Sequence, residues 1–198
     1  MADESEPGFV DKRDEHLGAI SRVYGPETWD VYAALDQSLH PRGPDAMVDL
    51  AAQRLTSESV VLDVGCRDAA YLIRLVQASG ARGVGIDPVS RLIAKARTAV
   101  AESGLDGQIE LIEGVMQDIP YPGASFDLVW CRDVIEVVDE LEAGISEIAR
   151  VLRPGGELIL FTVLATERLE PNDVSVIAQS LAVLPKNLSE DAVTSALD

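Results

Sequence analysis

The sequence predicts an α/β protein with a doubly wound, mainly parallel Rossmann-like sheet and helices on both faces. The main observation is the stretch VVLDVGCRDAAYLIRL at residues 60–75, in which an apolar run passes through Asp63 and Gly65 into a helical pattern. Such a run is typical of a buried parallel strand that turns sharply into a helix. The strand ARGVGID follows and ends in Asp87. Strands and helices keep alternating as far as residue 163, which favours successive βαβ units.

Apolar periodicity and turn residues give the expected boundaries of the elements. Strands are predicted from Val60 and at residues 83–87, 108–113, 126–131 and 158–163. Helices are predicted from Lys12 to about residue 24, around residues 29–35, and at residues 45–55, 68–78, 88–103, 139–152, 172–183 and 189–197. The expected strand order is 3-2-1-4-5, with a ligand over the carboxyl ends of the first strand and its neighbours.

The ends of the first two strands predict a site for a nucleoside-containing cofactor. Gly65 lets the backbone approach a ligand closely, and the amides that begin the next helix suit a negatively charged group. Asp87 stands about where a ribose-binding carboxylate lies in nucleotide-binding βαβ units.

Four segments carry a family resemblance: VLDVGC, GID, SFDLVWCRDVIEVV and EIARVLRPGGELIL. In order and spacing over residues 60–162 they resemble the motifs of class I S-adenosylmethionine-dependent methyltransferases, in particular the group that acts on small molecules and quinones (methyltransferase type 11 domain). The resemblance implies S-adenosylmethionine as cofactor and a small organic acceptor. The family's loop reads Asp-x-Gly-x-Gly-x-Gly, whereas this chain has Arg67 and Ala69 in place of the last two glycines.

Composition and the resemblance together predict a division of the chain. We expect an acidic flexible tail at residues 1–15, an N-terminal helical lid or cap at residues 16–56, and the cofactor-binding domain at residues 57–198. Tyr24, Trp29 and Tyr32 either face the cofactor from the lid or anchor it on the rim of the sheet. Anchoring is favoured, since aromatic side chains more often pack than contact ligands.

The loop after the first strand is expected to hold the methionine part of the cofactor. A carboxylate at the end of a buried strand needs a reason, and in the family this position holds the methionine part or fixes the loop, so Asp63 is assigned here with Gly65 and Cys66. Arg67 has three equal interpretations: it pairs with the cofactor's carboxylate, it fills the space that a glycine leaves open, or it is a solvated loop residue.

The nucleoside part is assigned to the next two loops. Asp87 is expected to bind the ribose hydroxyls, beside Pro88. The family often has an acidic residue after the glycine that follows the third strand, but here Val115 takes that place. Backbone groups of Val115 and Met116 are expected to contact the adenine instead, and Asp118 is interpreted as a loop cap.

The fourth strand ends in Cys131, followed by Arg132 and Asp133. Cys131 is expected near Cys66 over the cofactor, both as free thiols. Asp133 is either a catalytic general base or the cap of the next helix, and the cap is favoured. His16 and His40 are interpreted as exposed, because a catalytic role would require the lid to fold over. No cluster has the spacing of metal ligands.

Charge and composition restrict the partners. The 198 residues carry a net charge of −18, which opposes binding to nucleic acid. Neither a leader nor an apolar run of membrane-spanning length is apparent, and there are only two cysteines, so we expect a protein of the reducing cytoplasm without a membrane partner.

The segment after residue 163 departs from the family, which normally adds a helix and two further strands. These 35 residues are expected to form two helices, so the last two family strands are predicted to be missing. A strand at the edge of the sheet would then be uncovered and could support a homo-oligomer.

These observations predict methyl transfer from S-adenosylmethionine to a small organic acceptor. A degenerate relative that serves as a scaffold or regulatory partner is the alternative, favoured by Arg67, Ala69, Val115 and the short end. A nicotinamide-dependent oxidoreductase ranks last, because only the first glycine of Gly-x-Gly-x-x-Gly is present.

Overall fold

The computed structural model of the chain describes residues 12–25 and 44–198. The predicted acidic tail before residue 12 and the predicted helix with Trp29 and Tyr32 lie outside these ranges, as does His40. The helices within them are α1 (Lys12–Val23), α2 (Pro44–Ala52), α3 (Ala70–Ser79), α4 (Ser90–Glu102), α5 (Leu141–Val151), α6 (Pro171–Leu181) and α7 (Glu190–Leu197). The strands are β1 (Val60–Val64), β2 (Arg82–Asp87), β3 (Ile109–Glu113), β4 (Phe126–Arg132) and β5 (Leu152–Phe161), and short 3₁₀ helices span Ile135–Val137 and Pro185–Leu188.

The five strands form one parallel sheet in the order β3-β2-β1-β4-β5, which confirms the prediction. β1 lies at the centre, and Val61 and Leu62 within it expose no surface. Asp63 is in register with Gly85 of β2 and Trp130 of β4. The carboxyl ends of β1, β2 and β4 therefore meet at one edge of the sheet, where a parallel sheet of this type binds ligands.

Helices cover both faces of the sheet, as expected. On one face, α2, α3 and α4 pack around Trp130, which is buried together with Leu72 and Val100. On the other face, α5 and Val193 of α7 pack on Phe126 and Val129. Because α2 belongs to the first of these layers, it is part of the core beside α3. Of the described part of the predicted lid, only α1 reaches the ligand-binding edge.

A third apolar cluster forms at that edge. It joins Ile20 of α1 to Leu92 of α4, Val137 of the first 3₁₀ helix, and Val183 and Leu188 near the C-terminus. We call residues 182–188 the C-terminal strap. The cluster shows that α1 and the strap, which are far apart in the sequence, pack together next to the ends of the strands.

Two predicted boundaries are wrong. Pro88 precedes α4 instead of opening it, because the Asp87 carboxylate accepts a hydrogen bond from Val89 N (2.9 Å) and Val89 keeps an extended backbone. Residues 153–156, which lie between the predicted helix at 139–152 and the predicted strand at 158–163, belong to β5, which begins at Leu152 directly after α5. Its pairing skips from Leu152 opposite Phe126 to Glu157 opposite Leu128, so a bulge absorbs the Pro-Gly-Gly residues.

After β5 the chain forms α6 and α7, as predicted, and no strand of the described residues pairs with the outer edge of β5. Among residues 12–25 and 44–198, no helix has the combined length and apolarity that crossing a bilayer demands.

Candidate active site

Two cavities open at the carboxyl ends of β1, β2 and β4. The first, here the apolar cavity, encloses about 780 Å³ of space that is partly open to solvent, and apolar side chains of α1, β2, α4 and the first 3₁₀ helix line most of it. The second, here the polar cavity, encloses about 800 Å³ and is lined by three arginines, three aspartates, Tyr71 and Trp130. Gly65, Arg67 and Asp133 belong to both walls. The two cavities are therefore adjacent and meet at the loop after β1.

The loop after β1 keeps a backbone shape that suits glycine. Gly65 (φ 72°), Arg67 (φ 53°) and Ala69 (φ 60°) all have left-handed conformations. Gly65 N and Cys66 N donate hydrogen bonds to Ile86 O (2.8 and 3.1 Å), which draws the loop over the end of β2. Arg67 and Ala69, which replace two glycines of the family pattern, thus adopt the left-handed backbone that glycine favours, at a cost of about 1–2 kcal/mol for each residue.

The Asp87 carboxylate is buried in the wall of the apolar cavity, with 4% of the residue exposed. Its Oδ2 accepts from Arg67 N (3.0 Å) and its Oδ1 from Val89 N (2.9 Å). Burial raises the pKa of Asp87, and these two hydrogen bonds oppose the rise. Each oxygen retains a second lone pair, so the carboxylate is held in place and can still accept from a ligand.

Asp63 lies in the wall of the polar cavity, only 3% exposed. Burial, and secondly the nearby Asp87, raises its pKa well above the usual value. Within residues 12–25 and 44–198, no donor is hydrogen-bonded to this carboxylate. A buried carboxylate beside a cavity and without a protein donor suits a cationic ligand group.

Arg132 is the central cation of the polar cavity. Its guanidinium carbon lies 4.8 Å from the ring centre of Tyr71 and 5.7 Å from that of Phe161, and Nη2 lies 3.1 Å from Asp133 Oδ2. The side chain is almost completely buried. Such stacking and pairing hold a guanidinium at a fixed place, where it can meet an anionic ligand group.

Asp133 has a left-handed backbone (φ 53°), and its N donates to Phe161 O (2.9 Å). The favoured interpretation of Asp133 as a helix cap is wrong, because its carboxylate pairs with Arg132 and the 3₁₀ helix that follows has no side-chain cap. Asp133 instead stands between the two cavities.

α1 forms the roof of the apolar cavity through His16, Leu17, Ile20 and Tyr24. His16 is half-buried, which corrects its interpretation as an exposed residue. Its Nε2 lies 2.7 Å from Val137 O. α1 is thereby attached to the segment after β4 by a hydrogen bond as well as by apolar packing.

The C-terminal strap holds the same segment from the other side. Asn187 is buried, and its Nδ2 donates to both Ile135 O and Val138 O (2.7 Å each). Leu184 N donates to Glu136 O (2.8 Å). Glu136 is itself buried and accepts from Thr162 Oγ1 (3.0 Å). Burial raises the pKa of Glu136 to about 7. A backbone hydrogen bond lowers this pKa, whereas the nearby Asp133 adds to the rise.

Most predicted site residues lie at one of the two cavities. The apolar cavity is lined by Tyr24, Gly65, Arg67, Asp87, Pro88, Val115, Met116 and Asp133. The polar cavity adds Asp63 and Cys66, whose thiol pKa is raised by burial. Cys131 lies in the core with no exposed surface and lines neither cavity. Its predicted place over the cofactor is therefore wrong, because the end of β4 turns this side chain into the apolar layer of α5.

Sequence reasoning did not assign roles to Arg132, Tyr71 and Trp130. Arg132 could have been found from the sequence, because a charged residue at the end of a buried strand is unusual, and the same argument identified Asp63. Tyr71 and Trp130 carried no such signal, because their contact with the cavity follows from the packing of α3 on the sheet.

The described residues contain no cluster of three or more His, Cys, Asp or Glu side chains that could hold a metal ion.

The fold and these cavities define a doubly wound α/β protein with two adjacent cavities at the carboxyl ends of its central strands. Residues 62–160 match the sequence model of the methyltransferase domain. The chain belongs to this family, and its sheet is that of the class I methyltransferases, which confirms the resemblance.

Similarity extends to named enzymes. The chain is 28% identical to 27-O-demethylrifamycin SV methyltransferase of Amycolatopsis mediterranei over 67% of this chain and 48% of that protein. It is 33% identical to ubiquinone biosynthesis O-methyltransferase of Xylella fastidiosa over 70% and 55% of the two chains. The solved geranyl diphosphate C-methyltransferase of Streptomyces coelicolor A3(2) has a TM-score of 0.73 at 15% identity, covering 92% of this chain and 77% of that one. The chain spans about half the length of the first curated relatives it matches.

Proposed function

We propose that the protein transfers a methyl group from S-adenosylmethionine to a small organic acceptor. The observation that carries the proposal is a pair of buried carboxylates at the ends of adjacent strands. Asp87 lines the apolar cavity and Asp63 lines the polar cavity, and Gly65 belongs to the walls of both. A ligand that joins a nucleoside to an amino-acid group would present matching chemistry to both. The family membership and the named methyltransferase relatives support this assignment.

The apolar cavity suits the nucleoside end. Asp87 can accept from ribose hydroxyls through its remaining lone pairs while its two backbone bonds hold it in place. Ile86, Val89, Leu92 and Met116 supply apolar surface for an adenine ring. Val115 lines the same wall, which supports the predicted contact between the backbone of its loop and the adenine.

The polar cavity suits the amino-acid end. Its three arginines (Arg67, Arg74, Arg132) balance its three aspartates (Asp63, Asp68, Asp133), which fits a zwitterion better than an ion of one sign. We assign the ammonium group to Asp63, which lacks a donor from the described residues. The carboxylate is assigned to Arg67 and Arg132, since a guanidinium forms paired hydrogen bonds with a carboxylate.

When bound, S-adenosylmethionine supplies an electrophilic methyl group on a sulfonium, so the protein mainly has to bind, orient and exclude water. The loop after β1 orients the donor between the two carboxylates. α1 lines the apolar cavity and the strap packs against α1, and we propose that α1 acts as the predicted lid. The apolar lining favours an acceptor with a largely apolar body.

The net charge, the free thiols and the edge of β5 support the expected partners and location. The net charge of −18 disfavours nucleic acid as the acceptor. The two cysteines, Cys66 and Cys131, are free thiols, which agrees with a reducing compartment such as the cytoplasm. The outer edge of β5, with which no strand of the described part of the chain pairs, is proposed as the contact of a homo-oligomer.

Calorimetric titration tests the proposal. We expect S-adenosylmethionine to bind to the wild-type chain and NAD not to bind. Asp87→Asn should weaken binding about tenfold or more, as expected for a lost charge-assisted hydrogen bond of about 1.5–3 kcal/mol. Asp106→Asn, at an exposed carboxylate away from both cavities, is the matched control. Absence of binding by the wild type would reject the enzyme and favour the degenerate scaffold.

A further inference from the structure

The roof of the apolar cavity contains an imidazole with a fixed orientation. His16 lies on α1 and lines the cavity, and its Nε2 lies 2.7 Å from Val137 O. A carbonyl oxygen can only accept a hydrogen bond, so Nε2 carries the hydrogen. In the neutral ring, Nδ1 then keeps its lone pair and can accept a proton.

The carboxylates of the same cavity are engaged by protein donors. Asp87 holds two backbone amides. Asp133 pairs with Arg132 (3.1 Å), and Asp139 pairs with Lys186 (3.1 Å). A carboxylate that is stabilised by a cation or by amides is a poorer proton acceptor than one without them. Among the described residues, His16 is therefore the best placed to remove a proton from a bound acceptor.

We propose that His16 is the general base for an acceptor with a phenolic or enolic hydroxyl group. This inference rests on the proposed function and narrows its acceptor. The hydroxyl proton moves to Nδ1 of His16, the oxygen forms a bond to the methyl carbon, and the electron pair of the broken carbon–sulfur bond stays on sulfur. The positive charge passes from the sulfonium to the imidazolium, so charge is conserved.

The surroundings of His16 agree with this class of acceptor. Leu17 and Ile20 extend along the same face of α1, and Val137 and Val138 lie opposite. An aromatic or enolic ring would bury its carbon atoms among these side chains and place one hydroxyl at the imidazole. The hydrogen bond to Val137 O keeps the ring in place, as a general base requires.

The test uses 4-nitrophenol as a probe, because its visible absorbance distinguishes the phenol from the phenolate. It is titrated into the protein with S-adenosylhomocysteine present, at a pH at which the free probe is mostly protonated. Wild type should bind it largely as the phenolate. His16→Gln should reduce the bound phenolate signal at least tenfold, whereas Glu15→Gln, an exposed neighbour on α1, should leave it unchanged.

The assignment would be overturned if His16→Gln retained the phenolate signal. It would also be overturned if the wild type bound the probe only as the neutral phenol, or did not bind it. Calorimetry of the wild type with S-adenosylmethionine separates this failure from failure of the proposed function, because it tests cofactor binding without the acceptor. The chain has two histidines, so ¹⁵N spectra of a His40→Gln variant report on His16 alone. A hydrogen on Nδ1 instead of Nε2 would also overturn the inference.

Discussion

At the scale of single residues, unusual backbone and buried charge concentrate around the candidate site. Arg67, Ala69 and Asp133 are non-glycine residues with left-handed backbones, and all three lie in the loops after β1 and β4. An L-residue in this conformation costs about 1–2 kcal/mol, so the surrounding packing has to maintain it. Arg67 and Ala69 therefore do not count as evidence of a degenerate site, since the loop keeps the shape that glycines would allow.

Glu136 gives a prediction about pH and stability. Burial raises its pKa to about 7 from an ordinary 4.5, so the folded state binds its proton more tightly than the unfolded state does. The free energy of unfolding should therefore fall as the pH rises from about 4.5 to about 7, by up to roughly 3 kcal/mol through this group. Glu136→Gln holds no proton and should lose this part of the pH dependence.

Urea denaturation on both sides of this pH window measures the effect. Glu142→Gln, at an exposed position of α5, is the control and should follow the wild type. Asp63 and Asp87 contribute in the same direction, because their pKa values are also raised. The contribution of Glu136 is therefore the difference between variant and wild type in the pH dependence of the free energy of unfolding. Equal pH dependence in Glu136→Gln and wild type would show that Glu136 titrates normally.

At the scale of elements, the strands and the helices that pack on them were predictable, and the parts that depend on long-range contacts were not. Apolar runs and helical periodicity located β1 to β4 and α3 to α5 because each pattern is local. The bulge of β5 depends on pairing with β4, and the burial of Cys131 depends on α5. The burial of His16 was missed for the same reason, because its bond to Val137 O joins residues far apart in the sequence.

The strap gives a prediction at this scale. Asn187 donates from one amide nitrogen to two backbone carbonyls in the buried segment after β4. Asn187→Asp keeps the shape but removes the donor, leaving both carbonyls without it, so the free energy of unfolding should fall by about 2–4 kcal/mol. Urea denaturation gives the value, with Asn172→Asp at an exposed position of α6 as the control. Equal stability of the two variants would contradict the role assigned to the strap.

At the scale of the whole molecule, β3 and β5 are the outer strands of the sheet, and no strand within residues 12–25 and 44–198 pairs with the outer edge of β5. Val163 and Leu164, which follow β5, are 51% and 40% exposed. Exposed strand edges and apolar side chains favour association, whereas a net charge of −18 opposes it. The two effects respond differently to salt, because only the charge repulsion is screened.

Sedimentation velocity tests whether two copies meet at this edge. We expect a concentration-dependent dimer that becomes stronger as the salt concentration rises. Val163→Asp should weaken it, while Val176→Asp, also at an exposed valine but on α6, should not. A monomer at every concentration and salt level would remove the proposed oligomer and leave the site unaffected.

The arrangement of the roof has a consequence for the order of events during synthesis. Residues 182–188 emerge from the ribosome after every strand of the sheet, yet they hold the wall that α1 contacts. The nascent sheet can therefore assemble and bury its central strands while the chamber above them is still open. The wall segment gains its hydrogen bonds from Asn187 only after this late segment has been translated and has docked.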